Sequence, residues 1–131
     1  MKQIYHTLIE IKSLCGKVKL SESQDFIVID FNEYLSLYID DMSIVLNNGL
    51  THWHPDNDED IIQNVREIAN GDIVFIERRG FFTRPRKYGR IYDKAIKILD
   101  KKDFEKKKDN YLAKSHLRIY TGNEIFKHSK K

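Results

Sequence analysis

Between residues 26 and 54 the chain repeats one short pattern four times, and that run limits what the remainder can build. Phe26–Phe31 (FIVIDF), Tyr34–Ile39 (YLSLYI), Ser43–Leu46 (SIVL) and Leu50–His54 (LTHWH) are rich in β-branched and aromatic residues, and only Asn-Glu, Asp-Asp-Met and Asn-Asn-Gly separate them. Connections this short leave no room for a crossover helix, so the segments are expected to run as an antiparallel four-strand meander. Asn48-Gly49 is the strongest turn signal, because a tight hairpin needs positive φ and these two residues tolerate it best. In the second segment Leu35, Leu37 and Ile39 alternate with Tyr34, Ser36 and Tyr38, which predicts one face on a core and one toward water.

The flanking segments have a different period. Ile4, Leu8, Ile11 and Cys15, widened by Tyr5 and Ile9, follow helical spacing up to a stop at Gly16. Ile61, Ile62, Val65, Ile68 and Ala69 do the same before Asn70-Gly71, and Asp72–Arg78 (DIVFIER) then reads as a strand. Lys94–Leu99 (KAIKIL) fits both periods: with Tyr92 it makes a helical stripe, and by alternation it makes a strand that pairs back on residues 72–79 across a long basic loop. Asp100–Asn110 reads as a solvated helix or helical turn, Leu117–Tyr120 as a short strand, and the lysine-rich end as a fraying terminus. The expected fold class is α+β: N-terminal helix, antiparallel four-strand meander, second helix, return strand, and a mixed basic C-terminal region.

At 131 residues the chain suits a single domain spanning 1–131, with a core large enough to need neither disulfide nor structural metal. Its apolar share of 40% and its few prolines and glycines argue against disorder. Cys15 is the only cysteine, which excludes an internal disulfide; its place in the apolar stripe predicts a small core residue rather than a nucleophile. Glu10 and Lys12 interrupt any signal-peptide core near the start, and the longest uncharged run, Met42–Pro55, is too polar to span a bilayer. The expected compartment is the cytoplasm, with no membrane partner and no cofactor.

Thr51–Asp60 (THWHPDNDED) concentrates two histidines, a tryptophan, a proline and four acids. In a strand His52 and His54 share a face roughly 7 Å apart, a spacing used by zinc-binding pairs. A third ligand from His6, His116, His128 or a nearby acid would be required, and no HExxH or CxxC motif designates one. A strand-to-helix junction accounts for more of these residues. Trp53 falls on the face opposite the histidines, and Pro55 ends the strand. Asp56 is the expected N-cap, with Glu59 three residues on as in a capping box, while Asp58, Glu59 and Asp60 suit the positive end of a helix. Metal ligation is therefore assigned to none, with His52 and His54 as the residual candidates.

Pro55-Asp56 with Glu77-Arg78-Arg79 faintly resembles the PD-(D/E)xK pattern of metal-dependent nucleases, which would imply magnesium between carboxylates. Arg79 stands where that pattern has lysine, and a whole helix intervenes. No glycine-rich phosphate loop or G-x-S-x-G elbow occurs, so no catalytic residue is assigned.

Charge is divided unevenly along the chain. Residues 1–77 hold 5 Lys+Arg against 14 Asp+Glu, a net −9, whereas residues 78–131 hold 18 against 6, a net +12. Such asymmetry bears on partners rather than on fold. Within the basic half, Arg78–Arg90 (RRGFFTRPRKYGR) interleaves Arg78, Arg79, Arg84, Arg86, Lys87 and Arg90 with Phe81, Phe82 and Tyr88. Guanidinium forks match phosphate oxygens and aromatic faces stack on unpaired bases, so this loop, helped by Lys94 and Lys97, is the candidate nucleic-acid-binding surface. The expected function is a small non-enzymatic binding module contacting nucleic-acid phosphates. The alternatives are a protein-partner-binding or inhibitory, immunity-like accessory protein and, behind it, a metal-dependent hydrolase at His52 and His54. In its Lys/Ile/Asn-rich composition the chain resembles small accessory proteins of low-GC bacteria, a resemblance that touches no particular residue.

Overall fold

A computed structural model describes residues 1–41, 43–47, 51–78 and 96–128. It begins with α1, Lys2–Ile9, which buries Ile4 and Leu8 one turn apart. The helical stripe continues on paper to Cys15, but the backbone changes pitch first. Ile11 is extended (φ −75°, ψ 117°), and Lys12–Leu14 forms a 3₁₀ turn closed by Leu14 N–H to the Ile11 carbonyl (3.0 Å) and Cys15 N–H to the Lys12 carbonyl (3.2 Å). With three residues per turn, the inward position after Ile11 is three residues on. Leu14 therefore enters the core and Cys15 is exposed, which corrects the expected burial of the thiol.

The meander forms as expected and gains a strand. β1 (Val18–Leu20), β2 (Ile27–Asn32), β3 (Leu35–Ile39), β4 (Ile44–Leu46) and β5 (Thr51–Trp53) make an antiparallel five-stranded sheet in chain order. The register sets Ile29 against Leu37 and Ile39 against Ile44, so alternate residues from Ile27 through Leu46 make one buried face. On the outer face of β3, Tyr38 stacks on Phe26 at 4.6 Å. A register shift between Asp30 and Asn32 marks a bulge before the β2–β3 turn. There the Asn32 side-chain oxygen accepts from the amides of Tyr34 (2.9 Å) and Leu35 (3.1 Å), a local substitute for ladder bonds. Asn48-Gly49 lies outside the described residues.

α2, Asp58–Ala69, buries Ile61, Val65, Ile68 and Ala69 against the same face of the sheet. Its N-cap is Asn57, not Asp56. Asn57 is extended (φ −157°, ψ 176°), its carbonyl accepts from the Ile61 amide, and its side chain accepts from the Asp60 amide at 2.9 Å. Starting one residue later dissolves the expected Asp56–Glu59 box but leaves Asp58, Glu59 and Asp60 in the first turn. At the other end Gly71 N–H bonds the Ile68 carbonyl (3.1 Å) and Asp72 N–H the Glu67 carbonyl (3.0 Å), a Schellman closure that requires the left-handed φ of +78° at Gly71.

A second antiparallel sheet follows, in the order β7 (Ile96–Asp100), β6 (Ile73–Arg78), β8 (Leu117–Tyr120), β9 (Ile125–Phe126). The ambiguous KAIKIL segment thus supplies a strand that returns along β6 from Ile73↔Asp100 to Glu77↔Ile96. The basic stretch after it forms two short helices, α3 (Lys101–Lys106) and α4 (Lys108–Leu112), interrupted at Lys107. These cover one face of the second sheet, enclosing Val74, Ile76, Phe104, Leu117 and Ile119. The opposite face contributes Phe75 and Tyr120 to the larger core shared by the first sheet, α1 and α2. The β8–β9 turn approaches α2 so closely that a Cβ at Gly122 would overlap the Ile68 carbonyl. Among the described residues, no helix is long and apolar enough to cross a membrane.

Candidate functional site

Period two decides what the charged ends of β6 and β8 do. Val74 and Ile76 face α3 and α4, so Arg78 falls on their side, while Glu77 faces the other way with Phe75. In β8 Leu117 and Ile119 share the outer face, while Arg118 and Tyr120 share the inner one. Opposite pairing brings Lys97 beside Ile76 and Arg118 beside Glu77. The adjacent charged residues Glu77 and Arg78 therefore enter two different environments.

The outer environment is a cavity of about 390 Å³. Arg78, Lys97, Lys114 and His116 contribute four basic side chains to its lining; Ile76, Leu117 and the ring of Tyr111 contribute an apolar part. The Tyr111 ring stacks on the buried Phe104 at 5.8 Å, and its hydroxyl lies 3.4 Å from Lys97 Nζ. Lys114 is placed by its backbone: its N–H bonds the Tyr111 carbonyl and its carbonyl accepts from Leu117 N–H, both at 3.1 Å. No carboxylate is found among the described residues lining this cavity.

The inner environment uses its charge internally. The fully buried Tyr120 donates its hydroxyl to Glu77 Oε2 and accepts from Asn47 Nδ2, both at 2.7 Å. Burial, then the Glu77 carboxylate that it touches, pushes the Tyr120 pKa well above that of an ordinary phenol, so it stays a neutral donor. Arg118 lies 3.8 Å from Glu77 Oε1, with its guanidinium 4.2 Å from the centre of the Tyr34 ring. Asn47 also accepts from the Ser36 amide (2.8 Å), and Asn32 donates to the Thr121 carbonyl (2.9 Å), so both turns flanking β3 and β4 are tied to the end of β8. This is a clamp between sheets, beside a polar cavity of about 250 Å³.

Other cations of the basic half are also engaged within the chain. Lys101 lies near Glu105 (3.8 Å), Glu124 (3.6 Å) and the Phe126 ring, Lys106 near Asp103 (3.9 Å), and Lys108 over Phe126. Lys97 and Lys114 differ: neither forms an ion pair with a carboxylate among the described residues.

Of the nucleic-acid-binding residues expected from sequence, Arg78 lies at this cavity. Arg79, Phe82, Arg84, Arg86, Lys87, Tyr88 and Arg90 lie outside the described residues, as does Lys94. His52 and His54 are exposed on and just beyond β5, with ring centres 5.3 Å apart and nearly perpendicular. Among the described residues no group of three His, Cys, Asp or Glu side chains gathers that could hold a metal, so the third ligand this pair needs is not supplied there. Glu77, the distal carboxylate of the nuclease-like pattern, accepts the Tyr120 hydroxyl. A further cavity of about 280 Å³ is mainly apolar, lined by Trp53, Ile68, Ile73, Phe75 and the exposed Ile98. Tyr111 and Lys114 went unnoticed in the sequence, and His116 was singled out only as a possible third metal ligand, because only the turn after α4 brings them to the ends of β6 and β7.

Comparison of the chain with models of known protein families, with curated proteins and with solved structures gives no match.

Proposed function

We propose that the protein is a non-enzymatic nucleic-acid-binding module that contacts phosphates through the face where β6 leads into the basic segment 79–90. The observation that carries this reading is the gathering of Arg78, Lys97, Lys114 and His116 around one cavity, with no carboxylate among its described lining residues. Lys97 and Lys114 have no carboxylate beside them among the described residues, so a phosphate of the partner would meet their charge. Arg78 also opens the stretch Arg78–Arg90, whose composition suits phosphate and base contacts and which Lys97 is expected to help. The cytoplasm is the compartment in which such a module would meet its ligand.

The test is a binding titration of single-stranded and duplex DNA and RNA at increasing salt. Phosphate contacts release counterions, so log affinity should fall linearly with log salt, by about 0.7 to 0.9 per contact. Affinity that ignores salt, or no binding to any of the four, would remove the reading. Stoichiometric co-purification of a protein in place of nucleic acid would favour a protein-binding accessory role.

A further inference from the structure

We propose that the cavity at the ends of β6, β7 and β8 takes the phosphorylated terminal nucleotide of a single strand, gripping a phosphate monoester rather than a bridging diester. The inference rests on reading this face as a nucleic-acid interface and adds what the face recognises.

Three observations carry it. The first is charge density. The basic residues Arg78, Lys97 and Lys114 line one cavity of about 390 Å³ together with His116. A bridging phosphodiester brings one negative charge, whereas a monoester brings about −1.5 to −2 and three strong acceptor oxygens, so the monoester is the closer complement. The second is the apolar part of the lining. Ile96 and Tyr111, both half-buried, offer carbon surface that an inorganic anion cannot use, and that the sugar and base of a nucleotide can. The Tyr111 ring is a firm wall because it stacks on Phe104, which is fully buried. The third is size. A volume of about 390 Å³ lies within the range of roughly 300–1,000 Å³ typical of small-ligand sites, and a duplex whose major groove alone is about 12 Å wide cannot enter it. A chain end can.

Lys97 and Lys114 are the residues to alter. Both are exposed, and neither has a carboxylate partner among the described residues, so glutamine in their place removes charge with little risk to the fold. The experiment compares the full chain's affinity for three versions of one short single strand: 5′-phosphorylated, 3′-phosphorylated and hydroxyl at both ends. A nucleoside monophosphate and inorganic phosphate serve as competitors. The expected result is a preference of about tenfold for one phosphorylated end, competition by the nucleoside monophosphate well ahead of inorganic phosphate, and loss of that preference in the K97Q/K114Q variant. Equal binding of all three strands overturns the proposal and leaves the nucleic-acid reading standing. Inorganic phosphate competing as well as the nucleotide also overturns it, since the apolar lining then contributes nothing. A preference that persists in the double variant places end recognition elsewhere and overturns it too. Failure of every strand to bind overturns the proposal, and failure of duplex DNA and RNA as well overturns the nucleic-acid reading.

Discussion

Replacing Tyr120 with phenylalanine tests the clamp between the two sheets more sharply than any change in the apolar core. The ring is fully buried and stacks on Phe75 at 5.8 Å, so Tyr120→Phe keeps the packing and removes one oxygen. That oxygen donates to the Glu77 carboxylate and accepts from Asn47 Nδ2. A hydrogen bond to a charged group contributes about 1.5–3 kcal/mol, and a buried polar group left without a partner costs about 1–3 kcal/mol. Glu77 keeps Arg118 nearby and its side chain is only 15% exposed, so its loss is partly offset. The expected destabilisation is therefore about 2–3 kcal/mol, read as a lower urea midpoint at unchanged slope. The same substitution should flatten the alkaline limb. Burial raises the folded-state pKa of Tyr120, so its contribution is complete below the unfolded value of about 10 and is lost as pH rises toward the higher folded value. Wild type should thus lose more stability above about pH 10 than Tyr120→Phe does. A change below about 0.5 kcal/mol at neutral pH would refute the clamp, because a hydroxyl with these partners cannot be dispensable.

Three smaller changes examine other joints. Asn57→Ala should cost about 1 kcal/mol by thermal or urea unfolding and Asp56→Ala a few tenths at most; the reverse order would return the helix cap to Asp56. Gly122→Ala drives a Cβ into the Ile68 carbonyl and should destabilise by about 1–3 kcal/mol, whereas wild-type stability would mean that the β8–β9 turn does not approach α2 so closely. Cys15 should react fully with a thiol reagent in the native protein, and protection until unfolding would place it back in the core.

Much of the architecture is written in short-range pattern. Leu35, Leu37 and Ile39 alternate as a half-buried strand must, and the apolar spacing of Ile61 to Ala69 with Asn70-Gly71 after it marks a helix and its stop. Legibility fails where two periods agree with the same letters or where a segment is too short to show either. Lys94–Leu99 satisfies a helical stripe and a strand, and pairing with β6 decides for Ile96–Leu99, the part described. β1 has three residues with a lysine at its centre, too few to separate from loop. The expectation that Cys15 is buried assumed an α-helical period that the chain abandons at Ile11.

The candidate site was legible in kind and not in place. Arg78 and Lys97 stand out in the sequence, but the partition of Glu77 inward and Arg78 outward depends on which face of β6 meets α3 and α4. Arg118 counts toward the net +12 of the second half, yet it lies against Glu77 and Tyr34. Lys101 and Lys106 likewise sit beside carboxylates, where such exposed pairs contribute little stability while reducing the outward charge. Net charge along a chain overstates the field it presents until internal pairing is known.

The most direct test of the central claim is the salt dependence of single-strand binding, measured side by side for wild type and the K97Q/K114Q variant. If these lysines meet phosphates, the log-log slope should become shallower by about 0.7 for each lost contact, and affinity at low salt should fall with it. Parallel lines of equal slope would mean that the cavity makes no phosphate contact, and the account of this face would be wrong.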